Sequence, residues 1–189
     1  AKDEKNIRKG NNKHDKGLYA DSIVYFKKQL EVYKKNKNAL PENLSHIHRE
    51  LAWGYGALER LDKSIFHFNK ALEYAKKAWD AKHEEFGMLY MGLGAAHNQN
   101  THRKEVFFYL NKSLTILTNI YDSDHEKLVG VYHYLARAYK FDRDYEKAHL
   151  YYSKALKLRH KILYVHDTTL ANGYQELISF EKRLGNKKK

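Results

Sequence analysis

Residues 135–158 read LARAYKFDRDYEKAHLYYSKALKL. After the polar Asp142-Arg143-Asp144, the apolar residues Ala148, Leu150, Tyr152, Ala155, Leu156 and Leu158 recur at helical spacing, as one face of a long helix requires. Before that turn, Leu135-Ala136 with Ala138 marks a shorter helix whose small residues let a second helix come close. The stretch therefore predicts a helical hairpin. The pattern returns every 42 residues: Leu72, Leu114 and Leu156 each follow Lys-Ala or Lys-Ser, and Leu30 falls one period earlier. Leu51, Leu93, Leu135 and Leu177 form a second row, Phe26, Phe68, Leu110 and Tyr152 a third, and Ala52, Gly94 and Ala136 a fourth. Units that cannot bury their apolar faces alone must stack, so the period predicts an all-α solenoid.

Each period is expected to hold a short helix A and a long helix B, antiparallel, giving about nine helices in all. Helix B reads Ile65, Phe66, Phe68, Leu72 in one period and Val106, Phe107, Phe108, Leu110, Leu114 in the next. Asp62, Thr101 and Asp144 in the A-to-B turns are the expected N-caps, and Pro41 is placed in the first inter-repeat loop. The whole chain, 1–189, is expected to be one repeat domain with units at about 3–44, 45–86, 87–128 and 129–170, a closing helix at 171–184 and a disordered basic tail at 185–189. Asp3 to Asp15 is almost without apolar residues and suits a solvent-facing end. The last helix keeps Leu177, Ile178, Phe180 and Leu184, so further chain, a partner or self-association is expected to cover it.

Composition agrees with helices and narrows the chemistry. A single proline and 10 glycines leave long stretches where a helix persists. The absence of cysteine excludes disulfides, thiolate metal sites and cysteine nucleophiles. No run of apolar residues is long enough to span a membrane, and the N-terminus lacks a hydrophobic signal region. A cytoplasmic location is expected, although a start at Ala1 leaves a removed signal peptide open. The formal charge of +12 favours acidic partners.

These residues resemble tetratricopeptide repeats. Gly10-Asn11, Gly17-Leu18-Tyr19, Ser22-Ile23 and Phe26 are similar to that family's pattern, and Leu135-Ala136, Tyr139, Asp144 to Ala148, Tyr152 and Lys154-Ala155-Leu156 follow it almost position by position. The 42-residue period is similar to that of kinesin light chain repeats and bacterial peptide-sensor repeats, and Asp124-His125 resembles the Asp-His-Pro segment between kinesin light chain repeats, with Glu126 in place of proline. The resemblance implies a right-handed superhelix that binds a peptide or partner protein on the concave face lined by helix A. Two departures stand out. Those families often place asparagine before the helix A leucine to hold the ligand backbone, where this chain has Glu50, Gly92, Tyr134 and Glu176. Of the clamp positions used by binders of chaperone tails, here Ile7, Asn11, Glu50, Met88 and Gly92, only Asn11 agrees, so chaperone tails are not the expected ligand.

Register along helix A places His46, Arg49, Trp53, Met88, Met91, Asn98, His133, Tyr134, Arg137, Lys140, Gln175 and Lys182 toward the groove. Soft methionines, tryptophan and arginine suit an acidic segment with an aromatic anchor, and the alternative for Met88, Met91 and Tyr134 is packing between repeats. Arg49 and Arg137 are the sharper candidates, because packing alone gives no reason for two arginines there.

No catalytic or cofactor motif emerges. His46 and His48 point to different sides of a helix, and the strings beginning at His83 and His125 lack the second histidine of a zinc protease helix. Gly54-Tyr55-Gly56 and Gly92-Leu93-Gly94 do not continue into phosphate loops. The expected function is a non-catalytic scaffold without cofactor or metal that binds a protein or peptide. Two alternatives stand beside it: a sensor or adaptor module of a larger effector protein, and single-stranded nucleic-acid binding through 16 tyrosines, 8 phenylalanines and the excess lysine.

Overall fold

The computed structural model describes residues 2–35, 39–99 and 103–162, together with 175, 178, 179, 182, 183 and 185. Eight helices occupy the three continuous stretches: α1 (Lys2–Asp15), α2 (Tyr19–Lys35), α3 (Pro41–Ala57), α4 (Leu61–Ala78), α5 (Glu84–Gln99), α6 (Arg103–Ile120), α7 (Leu128–Phe141) and α8 (Tyr145–Ile162). They pair into the hairpins α1/α2, α3/α4, α5/α6 and α7/α8, and each hairpin packs on the next. The closing helix expected at 171–184 lies largely outside the described residues, and so does its role in self-association.

The rows of the sequence become the core of the stack. Leu51, Leu93 and Leu135 on the A helices are fully buried, and Phe26, Phe68, Leu110 and Tyr152 on the B helices are buried against them. Burying side chains of this size supplies about 1.5–3 kcal/mol each relative to exposure. Serine hydroxyls lock the pairs. Ser45 on α3 donates to the carbonyl of Ala71 at 3.1 Å, and one repeat later the direction reverses, with Ser113 on α6 donating to the carbonyl of Gly87 at 2.7 Å. Ser64 donates to the carbonyl of Ala52 at 2.8 Å. Small residues set the spacing: a Cβ at Gly94 would stand 2.6 Å from the Leu110 side chain.

The A-to-B turns share one geometry. Gly17, Glu59 and Arg143 each adopt a left-handed backbone, with φ of 70°, 57° and 60°. In each turn that residue's N–H bonds the carbonyl three residues back, and the next N–H bonds the carbonyl five back, closing the helix with a Schellman motif. The residue after the left-handed one then opens helix B, accepting from Ser22, Ser64 and Ala148 through the carbonyls of Leu18, Arg60 and Asp144. Asp144 is thus an N-cap, its side chain accepting from the N–H of Lys147 at 3.1 Å. Asp62 is not. The N-cap of α4 is Arg60, without a side-chain cap bond, and Asp62 lies inside the first turn. Thr101 lies outside the described residues. Pro41 also differs from expectation: it opens α3 instead of sitting in a loop, because proline's fixed φ and missing N–H cost nothing in a first turn.

Candidate functional site

Curvature defines an inner and an outer face. The A helices α1, α3, α5 and α7 approach one another in succession within 8 Å between Cα atoms, whereas no two B helices do so among the described residues. Helix A therefore lines the concave wall.

On this wall Trp53 of α3 and Tyr134 of α7 stack with ring centroids 6.3 Å apart and 23° between planes. The edge of the pair is closed by Phe68, perpendicular to Trp53 at 5.3 Å. Gly92 of α5 makes room for it, since a Cβ there would fall 2.2 Å from the Phe68 ring. A pocket of about 210 Å³ opens beside these rings, floored by Gly92, Ala95 and Ala96 and bounded by His14 and Tyr19 of the first hairpin. That volume is below the range of drug-sized ligand sites and matches one large side chain. Burial raises the pKa of the Tyr134 phenol, while Arg137 nearby works against the rise.

A charge network runs along the wall toward the N-terminal end. Arg49 of α3 donates to Glu85 of α5, to Glu50 at 3.2 Å and to His46 Nδ1 at 2.9 Å. His14 of α1 lies 3.5 Å from Glu50, which carries the network across a third helix. Burial lowers the pKa of His46 and Arg49 lowers it further, against the pull of Glu50, which favours the neutral ring that accepts from Arg49. Burial raises the pKa of Glu85 more than Arg49 depresses it. One Glu85 oxygen, Oε1, has no hydrogen-bond partner among the described residues.

The expected groove residues therefore separate. Trp53 and Tyr134 come together at the pocket. Arg49 and His46 meet each other, and the Glu85 contact supplies the packing reason for Arg49 that sequence alone lacks. Met91 is buried and touches the place where a Gly130 Cβ would stand, 2.7 Å from its sulfur, so it packs between α5 and α7. Met88 is half-buried against the same core cluster. His133 turns toward α8, its ring 5.6 Å from that of Tyr152. Arg137 is exposed and Lys140 half-exposed on α7. Gln175 and Lys182 are exposed at helical positions, and the side chain of Asn98 lies outside the described residues. His14, Tyr19, Phe68 and Gly92 are among the pocket residues outside the predicted groove set; His14 and Tyr19 come from the first hairpin, which no local pattern announces.

Among the described residues no group of three or more His, Asp or Glu is placed to hold a metal ion, and no helix is long and apolar enough to cross a membrane. His48 and His67 face each other with Nδ1 atoms 2.8 Å apart. Burial and the neighbouring cations lower both pKa values to about 4, and the rings stack on Tyr74 and Tyr55 as part of the core.

Residues 129–161 match the tetratricopeptide repeat family. No curated protein sequence matches the chain. Among solved structures, the chain is similar to BtubC (BKLC) from P. vanneervenii, with a TM-score of 0.75 and 17% identity over 93% of this chain and 70% of that one. It is also similar to a Podosopora anserina kinesin light chain structure with nearly identical TPR-like repeats, with a TM-score of 0.72 and 16% identity over 98% of this chain and 88% of that one. At these identities the likeness speaks for the fold.

Proposed function

We propose that this tetratricopeptide-repeat chain, whose repeats are of the kinesin light chain kind, is a non-catalytic scaffold that holds a partner segment against its inner wall. The observation that carries the reading is the pocket beside the stacked Trp53 and Tyr134, which draws on the first hairpin and on α3, α4, α5 and α7 and has room for one large side chain. Aromatic residues in such pockets dominate interface energetics. Arg137, exposed one helical turn beyond Tyr134, supplies the cationic neighbour for a carboxylate on the same segment. The bias to acidic segments rests on this end of the wall, since Arg49 is already neutralised by Glu50 and Glu85.

The test uses a random-peptide library displayed on phage, selected on the protein and counter-selected on Tyr134→Ala/Arg137→Glu. With Trp79 replaced by Phe, Trp53 is the sole tryptophan, and selected peptides are expected to shift its emission. Peptides that leave the Trp53 emission unchanged and bind the doubly substituted protein equally well overturn the assignment.

A further inference from the structure

The curvature that brings the A helices together spreads the B helices, and the spread leaves wedges on the outer face. One wedge, of about 750 Å³, lies between α4 and α6 over α5, with Trp79, Tyr90 and Phe108 among its walls and Lys76 and Lys112 on its rim. A second, of about 810 Å³, recurs at α7 and α8. The two are the same site one repeat apart: Tyr90, Lys112, Thr115 and Ile116 of the first correspond at 42 residues to Tyr132, Lys154, Lys157 and Leu158 of the second. The lysine-over-tyrosine contact repeats too, at 5.2 Å for Lys112 on Tyr90 and 5.5 Å for Lys154 on Tyr132. Alongside runs a periodic apolar row on the B helices, Val24, Phe66, Phe108 and Leu150, each about half exposed at 49%, 55%, 53% and 50%. Exposed apolar residues scattered singly are ordinary, but a row kept at the repeat period is a continuous surface feature.

Charge decides what fits. The first wedge is lined by two lysines and no carboxylate, and the second by three lysines and Asp124, which is already paired with Lys161. Among the described residues none of Lys76, Lys112, Lys154 and Lys157 has a carboxylate in ion-pair range. A second copy of the chain would bring the same lysines and a charge of +12 against this face, which like-charge repulsion opposes. A nucleic-acid strand needs open ring faces for base stacking. Here Tyr90, Phe108 and Tyr132 carry the protein's own lysines, with Lys112 Nζ 4.4 Å from the centre of Phe108, and Trp79 is stacked on His83. What remains is a chain with carboxylates for the lysines and apolar side chains for the wedges.

We propose that the outer wedges bind an acidic amphipathic protein segment that crosses α6. Its apolar side chains enter beside Phe108 and Leu158, and its carboxylates meet Lys112 and Lys154. This surface is separate from the inner wall, so one scaffold can hold two partners at once.

The test selects a phage-displayed random-peptide library on the protein, with counter-selection on Lys112→Glu/Lys154→Glu, a variant whose exposed substitutions leave the core alone and whose fold is checked by circular dichroism. Enriched peptides are expected to be rich in Asp, Glu and apolar residues. They should lose about tenfold or more in affinity for the doubly substituted protein and for Phe108→Ser, and bind Tyr134→Ala as they bind wild type. Failure to enrich, enrichment of peptides without acidic residues, or peptides sensitive only to Tyr134→Ala overturns the proposal. So does a Lys112- and Lys154-dependent dimer in sedimentation, which assigns the face to a second copy, or Lys112- and Lys154-dependent binding of oligo-dT, which assigns it to nucleic acid.

Discussion

Trp53 and Tyr134 stack on each other across α5, although two repeats separate them in the chain. Successive A helices pack side by side, and α5 runs between the helices that carry these two rings. At that level α5 carries Gly92, and the Phe68 ring fills the space where its Cβ would be. The position of the Phe68 ring, its edge contact with Trp53 and the floor of the pocket thus depend on one missing methyl group. Offset stacks of this kind contribute about 0.5–1.5 kcal/mol beyond burial, and here the geometry also sets the width of the proposed binding pocket.

Replacing Gly92 with Ala tests that dependence because two effects oppose each other. Alanine favours the helix by about 1 kcal/mol over glycine. The new methyl would meet the Phe68 ring at 2.2 Å, and Phe68, only 1% exposed, would have to shift against Trp53 or into the neighbouring pocket. Overpacking of this sort costs about 1–3 kcal/mol, so Gly92→Ala is expected to be net destabilising in urea denaturation, with a weaker Trp53 contact seen in fluorescence.

The left-handed turn residues predict the opposite sign. Gly17 meets the conformation without strain, whereas Glu59 and Arg143 hold side chains at φ of 57° and 60°. An L-residue there costs about 1–2 kcal/mol in sterics, part of which glycine returns through its freer unfolded chain. Glu59→Gly and Arg143→Gly are each expected to stabilise the protein by about 0.5–1 kcal/mol in equilibrium denaturation.

The repeat lattice made most of this fold legible. Leu51, Leu93 and Leu135, read as one row, are all fully buried, because a stack imposes the same environment on equivalent positions. The lattice also contained the answer where residue-type reasoning went astray: stepping back two periods from the N-cap Asp144 lands on Arg60, the observed cap position, and not on Asp62. Cap preference is a weak signal beside tertiary register. The inner wall was less legible because side-chain partners come from other helices. Nothing in the sequence around Arg49 points to Glu85, and nothing around Tyr134 points to Tyr19.

The Arg49–Glu85 contact predicts a structural effect. Glu85 is buried, one of its oxygens already lacks a partner, and Arg49 is the cation beside it. Removing one member of a buried pair leaves an uncompensated charge and costs about 3 kcal/mol. Arg49→Ala is expected to destabilise by about that amount, and Arg49→Ala/Glu85→Gln by clearly less, since the second change removes the stranded charge. Equal denaturation midpoints for the single and double variants would show that the pair bears no such coupling.

Acid should weaken the stack through His48 and His67. Their Nδ1 atoms lie 2.8 Å apart, so one ring must accept while the other donates, and a doubly protonated pair has no acceptor. Burial is the main reason that both folded-state pKa values fall from 6.5 to about 4; the His67 ring, Lys34 and Lys70 reinforce it at His48, where Glu73 opposes it, and Lys27, Lys34 and Lys63 reinforce it at His67. Between these values the unfolded chain binds more protons than the folded one, so stability is present above about pH 6.5 and is lost as the pH falls toward 4. The pair titrates as a unit, and Glu85, whose folded pKa is raised, contributes with the opposite sign. The melting temperature is therefore expected to drop by several degrees between neutral pH and the acid end of this window. His67→Phe keeps the stack on Tyr55, whose ring lies 5.4 Å from that of His67, while removing the second proton site. Its melting temperature should fall less over the same window, and a profile identical to wild type would locate the acid sensitivity elsewhere.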